Sequence, residues 1–181
     1  MSDQVDAADL SGAVAALQAV EEIKQLKYRY VRACDLKEMD ALIDCFAAGD
    51  ILVDYESTGR FERAEQFAAA FAEISLLEED GEYVISEMHH VIHPCITLRD
   101  PDAASGTWML RYRAVNTATM TEIVAAGDYH DSYRRIDGSW KIVGSRYRTL
   151  WSFDRPLDDE CEVSAQRVST AGDGNGAGEW E

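Results

Sequence analysis

The sequence predicts an α+β fold, a cone-shaped barrel in which three helices in the N-terminal half cover a strongly curved, mostly antiparallel sheet. Apolar residues recur every three or four positions before residue 80, which is typical of amphipathic helices. From residue 83 onward they recur every second position, which is typical of strands. Helices cupped against one curved sheet leave an apolar concavity, and such a concavity suits a small-molecule site.

The helices are predicted from three segments. The first is "AVAALQAVEEIKQLKYRYVRAC", whose apolar stripe has spacings of three and four residues and consists of Leu17, Val20, Ile23, Leu26, Tyr30 and Cys34. The second is "DLKEMDALIDCFA", because Asp35 and Glu38 have the spacing of a capping box. The third is "RAEQFAAAFAEISLLEE", which is rich in good helix formers.

One short strand, "ILVDYES", and a turn at Gly59 are predicted before the third helix. Four long strands follow it: "YVISEMHHVIHPCITLRD", "ASGTWMLRYRAVNTAT", "TEIVAAGDYHDSYRRI" and "SWKIVGSRYRTLWSF". Asp137 and Gly138 form a strong hairpin signal between the last two strands.

A chain of 181 residues, 46% of them hydrophobic, is long enough for one domain with a sizeable core. We predict that residues 13–157 form this domain and that residues 1–12 are flexible. From residue 158 the sequence is acidic and then rich in glycine, so it cannot bury enough apolar surface to fold alone. Residues 158–181 are therefore predicted to be a flexible tail.

The formal net charge of −17 argues against nucleic acid and against anionic membranes as partners, because both are bound by clustered Lys and Arg. The apolar runs are too short for a membrane helix, and the acidic start does not resemble a signal peptide. We therefore expect a cytoplasmic protein. The four cysteines contain no CxxC pair, so neither a zinc knuckle nor a disulfide framework is predicted.

Three of the four histidines lie within five positions of the segment "EMHHVIHPCITLRD". On a regular strand His89, Val91 and His93 share one face, while His90 and Ile92 share the other. The imidazoles therefore do not converge, and the helical HExxH zinc motif needs Glu where His90 stands. No metal site is predicted.

His89 and His90 are interpreted as partly buried residues with satisfied hydrogen bonds. His93 is the candidate base, because the following Pro94 indicates an irregular or edge position from which a side chain can be aimed inward. Such a base needs a carboxylate to fix its tautomer, and Asp35 is the candidate. A helix N-cap would explain Asp35 equally well, so the residues alone leave its role open.

Three segments, "KYRYVRACDLKEMDALIDCF", "HHVIHPCITL" and "AAGDYHDSYRRIDGSWKIVGSRYR", resemble the SnoaL-like branch of the nuclear transport factor 2-like superfamily. The group concerned includes bile acid 7-alpha-dehydratase, scytalone dehydratase and gamma-hexachlorocyclohexane dehydrochlorinase. The resemblance covers roughly residues 15–155. It is most specific in the strand pair from Gly127 to Trp140 and in the dipeptide Ile92-His93.

The resemblance implies a cone-shaped α+β barrel without a metal or organic cofactor, in which a His-Asp dyad abstracts a proton in an elimination. It gives His93 the role of base and Asp35 that of orienting carboxylate. Tyr30 matches a tyrosine of the family and is given the role of acid or hydrogen-bond donor at the leaving group, which favours hydroxyl over chloride. An electrostatic stabiliser falls on Arg146, although a slip of one residue would place Ser145 there instead.

We therefore predict a cofactor-independent lyase, a dehydratase acting on a hydrophobic, polycyclic or aromatic, hydroxy-ketone-like molecule. The alternatives are an isomerase or hydratase that uses the same base, and a non-catalytic ligand-binding domain. Aromatic side chains that are candidates for binding substrate, although core packing is the commoner role for each, are Phe46, Phe71, Trp108, Tyr112 and Tyr129.

The last strands are apolar on both faces, as in "TWMLRYRAV" and "WKIVGSRYRTLW", so a monomer would expose a large apolar patch. We therefore expect a homo-oligomer. The resemblance favours a trimer over a dimer, with the final strand and the segment after Trp151 in the interface.

Overall fold

A computed structural model describes residues 7–158 and 160–168, and within them it confirms the predicted α+β class and the three helices. The elements in chain order are α1 (Ala7–Asp35), α2 (Met39–Asp44), β1 (Leu52–Tyr55), β2 (Gly59–Phe61), α3 (Ala64–Ser75), β3 (Glu78–Glu79), β4 (Glu82–Tyr83), β5 (Ile85–Asp100), β6 (Ala103–Asn116), β7 (Thr121–Ile136) and β8 (Ser139–Pro156). The predicted flexible residues 1–6, 159 and 169–181 lie outside the described residues.

The main sheet has six strands in the order β2-β1-β8-β7-β6-β5. Strands β1 and β8 are parallel, and every other neighbouring pair is antiparallel. The long strands curl around the helices, and α1 packs against β5 and β8 on the concave face. The sheet does not close on itself, so β2 and β5 remain as its edges. Together the curled sheet and the helices form the predicted cone.

Two of the long strands, β5 and β8, carry β-bulges, and each bulge exchanges the faces of the residues that follow it until the next bulge. In β8, Ile142 pairs with Tyr133 whereas Gly144 pairs with Ser132, so Val143 is an extra residue. In β5 the register with β6 shifts between Ile92 and Cys95, around His93 and Pro94. Further residues are inserted at Arg99 in β5 and at Leu150 in β8, and these insertions together decide which side chains reach the interior of the cone.

The connection between the first two helices differs from the prediction. Asp35 is the last residue of α1 rather than the cap of α2, and Glu38 occupies the N-cap position without a side-chain cap hydrogen bond. Lys37 adopts a positive φ of 60° between the helices. The predicted capping box is therefore wrong, and the Asp35 carboxylate is free to bind another partner.

The ends of two other elements also differ from the prediction. Leu17, placed on the apolar stripe, is 71% exposed, because α1 meets the sheet only from Ala19 onward. Helix α1 begins at Ala7, six residues before the predicted domain boundary. Helix α3 ends at Ser75, and the next residues pair as a β3–β4 ribbon.

Part of the predicted tail pairs with that ribbon. The backbone N–H of Tyr83 donates to the carbonyl of Gln166 at 2.9 Å, and the N–H of Val168 donates to the carbonyl of Gly81 at 3.1 Å. The described residues 166–168 are thus hydrogen-bonded to the edge of the cone. Among the described residues, no helix is long and apolar enough to cross a membrane.

Gly127 permits a close approach between β7 and β8, because a Cβ at this position would overlap the ring of Tyr147. We expect Gly127→Ala to lower the free energy of unfolding by about 1–3 kcal/mol, since the ring would have to shift in a packed interior. Urea unfolding measures the change. The matched control is Gly12→Ala on the open side of α1, where a Cβ meets nothing within 4 Å. An equal effect of both substitutions would contradict the steric explanation.

Candidate active site

The concave face of the sheet, α1 and α3 enclose a cavity of about 350 Å³, within the size range of small-molecule sites. Its wall is mainly apolar and aromatic, with a few polar groups that converge on the interior. The lining residues include Tyr30, Cys34, Tyr55, Phe67, Phe71, Glu87, His89, Leu110, Tyr112, Tyr129, Tyr147 and Ser152.

At the wall of this cavity His89 and Asp35 form a hydrogen-bonded pair. The distance from His89 Nδ1 to Asp35 Oδ1 is 2.6 Å, and the side chains are 10% and 22% exposed. The backbone N–H of His89 also donates to both carboxylate oxygens, at 3.0 and 3.2 Å. These bonds fix the carboxylate and orient the ring, which lies 4.9 Å from the Tyr112 ring between centroids.

This geometry gives the imidazole the arrangement of a general base. A carboxylate only accepts hydrogen bonds, so the proton of neutral His89 belongs on Nδ1 and the lone pair on Nε2. After Nε2 takes a proton, Asp35 stabilises the resulting cation. Asp35 reaches His89 because the last turn of α1 packs against β5.

The predicted pairing of His93 with Asp35 is wrong, because Asp35 is hydrogen-bonded to His89. His93 lies at the β5 bulge with a positive φ of 52°, although Pro94 predicts an extended conformation there. Its side chain is exposed, and Nδ1 lies 3.4 Å from the sulfur of Met109 on the outer face of the sheet. The irregularity next to Pro94 was predicted correctly, but it turns the side chain outward.

Arg146 does not reach the cavity either. Val143 is inserted in β8, so the inward positions change from even to odd numbers as far as the next insertion at Leu150, and Ser145 faces the interior. The Arg146 side chain is 66% exposed and lies 3.4 Å from Asp54 on the outer face. The inward residue is therefore Ser145 and not Arg146, which is the alternative that the sequence left open.

Three of the five predicted substrate-binding aromatics, Phe71, Tyr112 and Tyr129, line the cavity. Phe46 does not line it and instead packs edge-on against the rings of Tyr30 and Phe67, both at 5.9 Å between centroids. Trp108 is also buried away from the cavity, where its Nε1–H donates to the Tyr133 hydroxyl at 2.9 Å. The assignment of Phe46 and Trp108 to the substrate site is therefore wrong.

A second cluster of polar side chains is buried behind the cavity wall. Its first member is Tyr30, which lines the cavity. The Tyr30 hydroxyl lies 2.7 Å from that of Tyr55, which lies 2.9 Å from Ser145 Oγ. Ser145 in turn donates to Asp131 at 2.7 Å. Burial raises the pKa of both tyrosines well above the ordinary value, so both phenols stay protonated near neutral pH.

Lys27 completes this cluster with a charge that is fully buried. Its ammonium lies 2.9 Å from Asp131 Oδ2 and 3.5 Å from the centroid of the Tyr129 ring. Burial lowers the pKa of Lys27, while the neighbouring Asp131 acts in the opposite direction. The pair places one positive and one negative charge directly behind the tyrosines.

A further buried pair stands beside the dyad. Lys37 Nζ lies 3.3 Å from Glu87 Oε1, and the Tyr112 hydroxyl donates to Glu87 Oε2 at 2.9 Å. Burial raises the pKa of Tyr112, and the Glu87 charge adds to the shift. Tyr112 is therefore held as a neutral phenol whose hydrogen is committed to Glu87.

Several of these buried polar residues were not predicted from the sequence. For Lys27, however, the sequence contains a signal that could have identified it. It lies four residues after Ile23 and three before Tyr30, so it interrupts the apolar stripe of α1 with a charge. A charged residue on the apolar face of a helix needs a buried partner. Asp131, at an alternate position of the last hairpin, was available for that role.

The described residues contain no cluster of His, Cys, Asp and Glu that could hold a metal ion.

Helices on a curved, mostly antiparallel sheet, with a deep cavity between them, define the chain as a cone-shaped α+β barrel protein. The family model described as a SnoaL-like domain matches residues 15–146. The chain therefore belongs to the SnoaL-like family.

Individual relatives agree with this placement. The scytalone dehydratase-like protein of Claviceps purpurea is 25% identical over an alignment of 135 residues, which covers 69% of this chain and 83% of that protein. The crystal structure of a scytalone dehydratase candidate from Novosphingobium aromaticivorans has a TM-score of 0.70 at 18% identity, covering 88% of this chain and 99% of that one. The hexachlorocyclohexane dehydrochlorinase LinA-type3 from Novosphingobium barchaimii has a TM-score of 0.69 at 16% identity, covering 84% and 99%. These structures share the fold of the chain.

Proposed function

We propose that this protein is a cofactor-independent lyase that removes water from a hydrophobic, hydroxy-ketone-like molecule, with His89 as the base and Asp35 as its orienting carboxylate. The observation that carries the proposal is the 2.6 Å bond between His89 Nδ1 and Asp35, at the wall of a mainly apolar cavity. An oriented imidazole can act near neutral pH without a metal or an organic cofactor.

The reaction balances with this one base. His89 Nε2 takes the acidic proton from the carbon next to a carbonyl, and the C–O bond at the neighbouring carbon breaks as the double bond forms. The imidazolium then gives its proton to the departing hydroxide, and water leaves. Asp35 stabilises the imidazolium between these two transfers, and the free base is restored at the end.

The remaining polar groups provide contacts for the substrate oxygens. Tyr30 lines the same cavity and is proposed to bind the departing hydroxyl group. Phe71, Tyr112 and Tyr129 form apolar and aromatic walls that suit a polycyclic or aromatic body. Ser145 takes the inward place that the resemblance gave to an arginine.

The names of the relatives support an elimination. Those quoted above contain a dehydratase or a dehydrochlorinase, and both names describe the loss of a small group together with a proton. The hydroxyl as leaving group is favoured here because the oxygen of Tyr30, which lines the cavity, can hold a substrate hydroxyl in place by a hydrogen bond, while the imidazolium of His89 supplies the proton.

Product analysis by mass spectrometry tests the reaction type. The purified protein is incubated with a panel of steroid, bile-acid and polyketide hydroxy-ketones. We expect one of them to lose one water per molecule, with a new conjugated double bond visible in the ultraviolet spectrum. An unchanged mass with a rearranged double bond would favour the isomerase, and a gain of water the hydratase. If no compound changes but some bind, the non-catalytic ligand-binding domain would be favoured.

We further propose that the protein assembles as a cytoplasmic homo-oligomer, a trimer in preference to a dimer, through the outer face of β8. Trp151 and Phe153 lie there with stacked rings and are 54% and 49% exposed. Met109 on β6 and Ile92 on β5 are also exposed, on the far side of β7 from β8. A second copy of the chain would remove this apolar area from water.

Light scattering at micromolar concentration tests the assembly. We expect the wild-type protein to have a multiple of its 20.2 kDa mass and the double variant Trp151→Ser, Phe153→Ser to be monomeric. The control is Leu17→Ser, which removes an exposed apolar side chain from α1 and should leave the mass unchanged. A monomeric wild-type protein would contradict the proposal.

A further inference from the structure

The hydrogen bonds of the chain behind the cavity all run in the same direction from donor to acceptor. The residues at its buried end, around Asp131, determine this direction. It runs from Tyr30 through Tyr55 and Ser145 to Asp131, with oxygen–oxygen distances of 2.7, 2.9 and 2.7 Å. All four residues are buried, so bulk water does not compete for these hydroxyl groups. Each hydroxyl has a single hydrogen, so fixing one bond fixes the next.

Asp131 is surrounded by donors. Lys27 lies 2.9 Å from Oδ2, and an ammonium group has no lone pair to offer. The Tyr133 hydroxyl donates its hydrogen to Oδ2 at 2.8 Å and accepts the indole N–H of Trp108. A carboxylate that accepts from every neighbour is therefore the state that satisfies this cluster.

This charge orients the rest of the chain. Ser145 gives its hydrogen to Asp131, so its oxygen accepts the hydrogen of Tyr55. The oxygen of Tyr55 then accepts the hydrogen of Tyr30. Neither phenol therefore has a hydrogen left for the cavity that both residues line, and only their oxygen lone pairs remain for a ligand.

We propose that Asp131, paired with Lys27, is a positioning residue that makes the Tyr30–Tyr55 end of the cavity an acceptor of hydrogen bonds, and thereby selects a ligand with a hydroxyl donor there. This inference rests on the proposed function, because it takes the cavity as the substrate site. It deepens that function by defining the substrate class at one position: a free hydroxyl is bound, whereas an ether or a carbonyl oxygen meets lone pairs and is disfavoured. In the bound substrate the hydroxyl donates to Tyr30.

Calorimetric titration with two probes of nearly the same shape tests the direction of the chain. The probes are beta-naphthol, which carries a donor, and its methyl ether, which does not. We expect the wild-type protein to bind the naphthol about tenfold more tightly or better, because the ether leaves a buried oxygen facing another lone pair. The measured quantity is the ratio of the two dissociation constants.

Two variants should abolish the preference by different means. In the double variant Lys27→Met, Asp131→Asn the cluster is neutral, and the amide N–H₂ can donate to Ser145, which allows the chain to reverse toward the cavity. Ser145→Ala keeps the ion pair but disconnects Tyr55 from it. We expect the ratio to fall to about one in both, since the phenols regain a hydrogen for the ether oxygen.

Tyr133→Phe is the matched control, because it removes another donor to the same carboxylate but leaves the arm toward Tyr30 intact. It should keep the wild-type ratio, even if the protein is less stable. A ratio that is equal in all four proteins, or a wild-type protein that prefers the ether or binds neither probe, would overturn the proposal. Because no turnover is measured, a protein with the predicted ratios but no dehydratase activity would contradict only the proposed function.

Discussion

Replacing His89 with glutamine is expected to reduce the turnover of any dehydrated substrate by ~10²–10⁴-fold, the usual contribution of a general base. The glutamine amide can keep a hydrogen bond to Asp35, so the cavity wall should stay intact. It has no basic lone pair, however, and cannot accept the proton from carbon. Initial rates from the loss of the hydroxy-ketone measure the effect, and an unchanged thermal midpoint shows that the fold is retained.

The control for this prediction is His93→Gln. His93 is exposed at the bulge and contacts Met109 on the outer face, so its replacement should leave turnover essentially unchanged. The two variants lie four residues apart on one strand and carry the same substitution. The opposite result, an inactive His93 variant and an active His89 variant, would restore the assignment made from the sequence.

Removing the charge of Lys27 alone is expected to have the largest effect on stability. Lys27→Met leaves the fully buried Asp131 without its cation, and the loss of one partner of a buried ion pair costs about 3–5 kcal/mol of unfolding free energy. Equilibrium urea unfolding followed by tryptophan fluorescence measures the change.

The double variant Lys27→Met, Asp131→Asn provides the comparison. Because it buries no uncompensated charge, we expect it to regain most of the stability that the single variant loses. A single variant within about 0.5 kcal/mol of the wild-type protein, the range of an ordinary surface substitution, would show that the pair is not buried as described.

The architecture could be predicted from the sequence, because the apolar residues of most elements recur with the period of a helix or a strand and face the interior. The four long strands alternate in and out over most of their length, and the hairpin at Asp137 and Gly138 has the positive φ angles, 49° and 80°, that its residue types favour. The prediction for the connection at Asp35 failed because a capping carboxylate and a carboxylate that binds a histidine look alike in a sequence.

The candidate site could be predicted only in part, because two bulges change the faces of the strands that carry it. Without the bulge in β5 His93 would lie inside together with His89, and without Val143 Arg146 would lie inside in place of Ser145. Pro94 indicated an irregular position in β5 but not the direction in which it turns the side chain, and the sequence around Val143 has no comparable signal. Asp35 and Tyr30 lie on α1, where the helical period is uninterrupted; Tyr30 lines the cavity, and Asp35 binds His89 rather than the predicted His93.

Deuterium uptake by a ketone that lacks a leaving group tests the central claim most directly, because it reports the base of the His89–Asp35 pair whatever the natural substrate is. Alpha-tetralone in D₂O, followed by proton NMR, loses the signals of the hydrogens next to its carbonyl as they exchange. We predict that the wild-type protein and His93→Gln make this exchange faster than it is in buffer alone, and that His89→Gln does not. Exchange by His89→Gln at the wild-type rate, or no acceleration by the wild-type protein, would contradict it.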